Sequence, residues 1–271
     1  MVPVVVVLAL LASNPSSATA ADTWRPLDAA NTLVFETSRG AIITELRPEF
    51  APKGVERIKL LARDGVYDGL LFHRVIDGFV AQTGNPNNRD GGVSNHPDLA
   101  PEFTFRLEPS VAHTLVTQSS DAIAGFVGAS PFQGEALATE KWANKPPRAW
   151  GAYCPGVMGM GRQEGLGTAN SEIFFMREAA RRLDHTYTVV GMIISGLDVV
   201  RALEVGEPPA KPDRINRARM VEDMPATERP RLEVMNTKSA AFGAMVRGAR
   251  RAKGADFSIC DVAVPTRPAA P

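Results

Sequence analysis

The sequence predicts a mainly β domain carrying few helices. Residues 32–37 (Leu33, Val34, Phe35) and 41–46 (Ile42, Ile43) read as two strands joined by Ser38-Arg39-Gly40. Residues 71–86 read as a strand hairpin: apolar positions alternate, Asp77-Gly78 turns the chain, and Gly84, Asn85 and Pro86 end it. Helical spacing is confined to short stretches between or after such strands. A chain of 271 residues with 44% hydrophobic content can form one large domain, or one domain plus an extension. Lys+Arg and Asp+Glu both number 30, which gives no reason to expect nucleic acid or anionic lipid as a partner.

In chain order, residues 4–12 form an apolar run, too short for the roughly 20 residues that span a bilayer. Ser13-Asn14-Pro15 and the small-x-small site Ala18-Thr19-Ala20 follow, so residues 1–21 are expected to be a secretory signal peptide, although its usual basic start is missing. The expectation is therefore an exported, periplasmic protein with no membrane span after signal removal. The first helix opens at Pro52 and closes at Gly65, with Val55, Ile58, Leu61 and Ala62 on one face. In the hairpin, alternation puts Phe72, Arg74 and Ile76 on one face and Leu71, His73 and Val75 on the other. A half-buried hairpin has no structural need of Arg74 in one arm and Gln82 in the other; buried polar groups take partners or a ligand. The bland alternative is a rim charge whose aliphatic stem is packed.

Phe72-His73-Arg74-Val75-Ile76, then Phe79, Gln82 and Gly84, is similar to the signature of the cyclophilin family of peptidyl-prolyl isomerases. Pro101-Glu102-Phe103 resembles the family's Glu-Phe strand. The likeness resumes at Pro155-Gly156-Val157-Met158-Gly159-Met160-Gly161, continues through Asn170-Ser171-Glu172-Ile173-Phe174-Phe175-Met176, then Leu183-Asp184 and residues 187–191. Ser195-Gly196 leads into a second helix with Leu197, Val200 and Leu203 on one face, and residues 215–222 fit the closing strand. The resemblance covers residues 30–223 except about 107–153, a segment longer than the family core has there, which keeps residues 122–128 and Trp142. It is expected to be a surface insertion packed on the barrel, with a substrate-binding lid as the alternative.

The resemblance implies a closed antiparallel eight-stranded barrel capped by two helices. It implies cis/trans isomerisation of X-Pro bonds during folding of exported proteins, without cofactor or metal. Arg74 is the implied catalytic donor. Phe79, Val80, Phe174 and Leu183 are the implied walls of a pocket for the proline ring, and Gln82 holds the peptide backbone. Five positions depart from the family: Gly161-Arg162 stands for its Ala-Asn pair, Glu172 for a glutamine, Tyr187 for a histidine and Arg182 for a tryptophan. Glu172 and Arg162 are expected to pair across the groove or to alter preference for the residue before proline. Arg182 is expected to weaken the cyclic-peptide inhibitor cyclosporin, which uses that indole. Implied partners are proline-containing peptides and unfolded exported proteins, met by a monomer. The rival reading is a non-catalytic chaperone or protein-binding module on the same fold, which an assay on unfolded substrates lacking proline would separate.

Residues 224–271 exceed a minimal member of that family and are expected to dock on the barrel as an α/β extension. Residues 231–235 alternate like a strand, Ser239 caps a helix bearing Phe242, Met245, Val246 and Ala249 on one face, and 257–262 is strand-like. Arg247, Arg250, Arg251 and Lys253 are expected to form a solvated face, with a partner-binding role as the alternative. Cys154 and Cys260, an even pair in an exported chain, are expected to form a disulfide; two buried free thiols are the alternative. His73, His96, His113 and His185 show no metal-ligand spacing, and no phosphate loop or G-x-S-x-G motif is present.

Overall fold

Apolar alternation along the first two strands needs a cover, and a sheet that curls on itself supplies one. The computed structural model describes residues 23–88, 94–137 and 146–269, so the expected signal peptide and Trp142 lie outside the described residues. Strand β1 (Trp24–Pro26) precedes the hairpin of β2 (Thr32–Thr37) and β3 (Gly40–Leu46). Helix α1 (Pro52–Arg63) follows and buries Val55, Ile58, Leu61 and Ala62. Glu102 accepts the orphan amides of Lys53 (3.1 Å) and Gly54 (2.8 Å) at its start. At its end Gly65, at φ +68°, lets the Val66 amide turn back to Leu61 O at 2.9 Å. The strand expected at Pro101-Glu102-Phe103 is absent, because Glu102 serves as this helix cap and pairing begins only at Phe105.

Next come β4 (Arg74–Val75), β5 (Val80–Thr83), β6 (Phe105–Arg106), β7 (His113–Gln118), β8 (Ala122–Val127), β9 (Ser130–Glu135) and β10 (Arg148–Gly151). The chain continues with β11 (Val157–Met160), β12 (Ile173–Met176), β13 (Val189–Ser195), α2 (Leu197–Arg201) and β14 (Ile215–Met220). It closes with β15 (Leu232–Met235), α3 (Ala240–Lys253) and β16 (Thr266–Pro268).

Eight strands form one antiparallel sheet in the order β14-β2-β3-β13-β11-β12-β5-β4. Phe35 on β2 and Phe175 on β12 stand four places apart in that order, a distance of about 19 Å in a flat sheet. Their ring centroids are 5.5 Å apart, so the sheet is tightly curled around a core of aromatic and aliphatic side chains. It is open rather than the closed barrel expected: its edge strands β4 and β14 do not pair with each other. Isolated bridges, Leu71 to Arg214 and Val75 to Gly206, span the seam. The first arm of the hairpin shrinks with it. Strand β4 keeps only two residues, and Phe72 and Val75, assigned opposite faces by alternation, both enter the same core.

The segment expected as an insertion supplies four strands of a second, five-stranded sheet, ordered β6-β10-β9-β8-β7, whose edge strand β6 lies just before it. The N-terminal strand joins the C-terminal extension in a three-stranded sheet, β1-β15-β16. Helix α3 is capped by Ser239, whose Oγ accepts the Phe242 amide at 3.1 Å. Phe242 meets the Phe126 ring edge-on with centroids 5.4 Å apart, and with Val246 it belongs to an apolar cluster that also holds Ile123 and Phe132 of the second sheet and Phe174 and Val80 of the first. Arg250 is not on a solvated face: it donates to Thr117 Oγ1 (2.7 Å) and Val116 O, and lies over the Phe257 ring. Residues 257–262 are not a strand either, since the Ser258 capping box winds Ile259–Asp261 into a 3-10 turn. Cys260 in that turn is bonded to Cys154, across a sequence separation of 106, tying the extension to the start of β11.

One buried carboxylate joins all three sheets. Glu45 of β3, 1% exposed, takes Arg25 of β1 on both oxygens (2.7 and 2.8 Å), pairs with Arg47, and accepts the Ala129 amide between β8 and β9 at 3.2 Å. Burial alone would raise its pKa, but the charges of Arg47 and Arg25 and the hydrogen bonds from Arg25 and Ala129 hold it below the ordinary carboxylate value. Glu45→Gln keeps the shape and leaves two guanidinium groups unneutralised. It should lower unfolding stability by about 3 kcal/mol or more, read as a reduced urea midpoint with unchanged slope. Because the folded pKa is depressed, the native contribution is full above about pH 4.5 and is lost as pH falls through the folded value; the variant should lack this acid dependence.

Candidate active site

Register assembles the site. Gln82 of β5 stands opposite Arg74 of β4 on one side and Phe174 of β12 on the other, and Phe174 stands opposite Gly159 of β11. Directly opposed residues share a face, so Arg74, Gln82 and Phe174 project together, with Val80 two residues from Gln82 on the same side. A side chain at Gly159 would strike the Phe174 ring and the Tyr153 hydroxyl, both 2.6 Å from the position of its first carbon. Glycine there lets the aromatic rings lie across the strand.

The result is a cleft of about 630 Å³ lined by Arg74, Phe79, Val80, Gln82, Gly161, Arg162, Glu172, Phe174, Leu183 and Tyr187. These are the ten positions singled out by sequence, and the structure brings every one of them to a single cleft. Two further lining residues, Gln163 and Glu164, were missed, although they directly follow Gly161-Arg162 in the chain.

One wall is polar and tightly linked. Arg74 donates from Nε to Glu207 Oε2 at 2.7 Å and from Nη1 to Gln82 Oε1 at 3.0 Å. Gln82 donates its amide nitrogen to Glu172, whose other oxygen lies 3.6 Å from His73 Nε2. Arg162 does not pair with Glu172 as expected. Its guanidinium donates to Thr186 O, Gln163 O and Glu164 O and sits 4.5 Å above the Tyr187 ring, so it builds the rim instead of crossing the groove. Glu207 and His73 were also missed. Glu207 is 133 residues from Arg74 in sequence, and no local pattern signals that contact.

The other wall is apolar. Phe174 meets Tyr187 edge-on with centroids 5.9 Å apart, and it stacks on the fully buried Tyr153 at 5.7 Å. Burial pushes the Tyr153 phenol well above its ordinary pKa, so this ring serves as a neutral floor. The second sheet braces the loop that carries Leu183 and Tyr187. Arg181 of that loop donates to Gln133 of β9, the Tyr153 amide donates to Asp184 at 3.0 Å, and the Trp150 ring of β10 lies tilted against His185 with centroids 3.7 Å apart. The described part of the insertion therefore lies behind the cleft and adds none of its described lining residues.

An apolar cleft with a fixed cationic fork on one wall suits an apolar ring joined to a polarisable amide. Among its described lining residues there is no serine, cysteine, histidine or lysine. Among the described residues no group of three His, Cys, Asp or Glu is placed to hold a metal ion, and no helix is long and apolar enough to cross a membrane.

A model of the family described as cyclophilin type peptidyl-prolyl cis-trans isomerase/CLD matches residues 32–220. The chain belongs to the cyclophilin family. A probable peptidyl-prolyl cis-trans isomerase of Brucella suis is 32% identical over 220 residues, covering 75% of this chain and 89% of that one. The mouse peptidyl-prolyl cis-trans isomerase-like 1 is 33% identical over 153 residues, 56% of this chain and 87% of its own. Among solved structures, the cyclophilin AquaCyp293 from Hirschia baltica superposes with a TM-score of 0.82 at 32% identity, covering 92% of this chain and 96% of that one. That coverage reaches beyond residues 32–220, so the likeness takes in chain outside the family core.

In this cyclophilin the expected tryptophan position, Arg182, is exposed, with its guanidinium 4.4 Å above the Phe79 ring. A hydrated cation at the cleft edge offers neither a flat apolar surface nor an indole N–H. Cyclosporin should bind weakly, and Arg182→Trp should tighten it by roughly tenfold or more, about 1.4 kcal/mol, in a fluorescence titration. A nanomolar Kd for the unmodified protein contradicts this.

Proposed function

We propose that this cyclophilin accelerates cis/trans isomerisation of X-Pro bonds in exported proteins, with Arg74 stabilising the twisted amide. The carrying observation is the Arg74 guanidinium, hydrogen-bonded at two nitrogens on the wall of an apolar cleft.

Rotation about an X-Pro bond faces a barrier of about 20 kcal/mol, because the nitrogen lone pair is delocalised into the carbonyl. The uncatalysed step takes tens of seconds, slow enough to limit folding. As the bond twists, the pair localises on nitrogen. A donor aimed there binds the twisted state more strongly than the planar one, which is what lowers the barrier. Phe79, Val80, Phe174, Leu183 and Tyr187 grip the ring, so that only the acyl side turns. Gln82 and Glu172 present polar groups to the peptide backbone beside it, and the Gly161 end of β11 gives close backbone approach. No covalent intermediate is needed.

Export and a periplasmic setting are supported by the apolar run at residues 4–12 with its Ala18-Thr19-Ala20 site, and by the Cys154–Cys260 disulfide, a bond favoured in oxidising compartments. The protein acts as a monomer in this reading. In this reading residues 30–223 carry the activity, and 224–271 serve as a docked extension.

Arg74→Ala should lower kcat/KM by roughly 10²-fold, about 3 kcal/mol of transition-state stabilisation, in a protease-free X-Pro peptide assay with an unchanged circular dichroism spectrum. Arg74→Lys should recover little, because a point charge cannot reproduce the planar fork. A folded Arg74→Ala variant with near-full activity would overturn the assignment.

A further inference from the structure

We propose that Glu207 is a positioning residue for the isomerase step: it fixes the plane of the Arg74 guanidinium by accepting from Nε, while Gln82 holds Nη1. This rests on the reading of Arg74 given above and deepens it.

A guanidinium is planar, and a single hydrogen bond leaves it free to swing about that contact. Two bonds at different nitrogens of the fork fix the plane, and with it the direction in which the donor points. Gln82 supplies one of these from the sheet itself, at 3.0 Å. Glu207 supplies another, at 2.7 Å, from the segment between α2 and β14.

That segment is held in place for the purpose. The amides and carbonyls of Gly206 and Val75 bond reciprocally at 2.8 Å, so the residue before Glu207 is paired with the residue after Arg74. A side chain at Gly206 would lie 2.4 Å from Pro209 Cα, so the turn that carries Glu207 is tight. Upstream, the Glu204 amide donates to Asp213, which in turn takes Ser38 and Arg39. The carboxylate of Glu207 is 52% exposed, so solvent screens its charge. What it contributes is direction: a group aimed at developing charge must already be oriented when the bond twists.

Two substitutions separate direction from charge. Glu207→Ala removes the acceptor; Glu207→Gln keeps an acceptor and removes the charge. With X-Pro peptides in a protease-free assay, Glu207→Ala should lower kcat by about fivefold and leave KM within about twofold, because the ring pocket is untouched. Glu207→Gln should recover most of that loss. In an Arg74→Ala background, measured by exchange spectroscopy on the slow residual rate, Glu207→Ala should have no further effect.

Full kcat in Glu207→Ala overturns the proposal. So do equal losses in the Ala and Gln variants, which would make the role one of charge. The same loss with and without Arg74 also overturns it, since the turn would then act by some other route. Full activity of Arg74→Ala is a different result and defeats the underlying reading of the site.

Discussion

Three sheets meet at a carboxylate that water cannot reach. Moving an ion of that size out of water is unfavourable by several kcal/mol, and Glu45 is tolerated because two guanidinium groups and an amide surround it. Each of those partners belongs to a different part of the chain: Arg25 to the sheet shared with the extension, Arg47 to the family core, Ala129 to the inserted sheet. Their positions are therefore mutually constrained. The glycine at 128, at φ +54°, belongs to the same arrangement, because a side chain there would collide with the Arg47 guanidinium.

The same logic of shared support applies to the cleft. Phe174 is simultaneously a wall of the site and part of the apolar core that holds the inserted sheet and α3. Trp150, Tyr153 and Gln133 extend this support to the loop of Leu183 and Tyr187. A pocket that must hold a ring still while a neighbouring bond turns gains from walls that are already packed before substrate arrives. The extra sheet and tail thus add support behind the site.

Much of this was legible in the sequence because it is local. Alternation marked β2 and β3, the i, i+3 spacing with Pro52 and Gly65 marked α1, and Ser239 marked the start of α3. The cleft residues were found by resemblance to fixed motifs, and register then brought them to one cleft. What escaped was non-local. Periodicity cannot say whether a curled sheet closes, since that depends on how Leu71 and Val75 meet Arg214 and Gly206. Residues 257–262 alternate well enough for a strand, yet Ser258 and Asp261 satisfy each other's backbone and wind a turn. Arg250 looked solvated because its partners, Val116 and Thr117, lie more than 130 positions away. Glu207 was invisible for the same reason.

The bond between Cys154 and Cys260 has a topological consequence. The chain from 154 to 260 is a covalent ring, and within it fall β11 to β14 together with Gly161, Glu172, Phe174, Leu183, Tyr187 and Glu207. Arg74 and Gln82 lie on the linear arm outside it. A protease that cuts the exposed rim loop, at Glu164 or Leu166 for instance, opens the ring without releasing a fragment. The nicked molecule stays one covalent species until it meets a reductant.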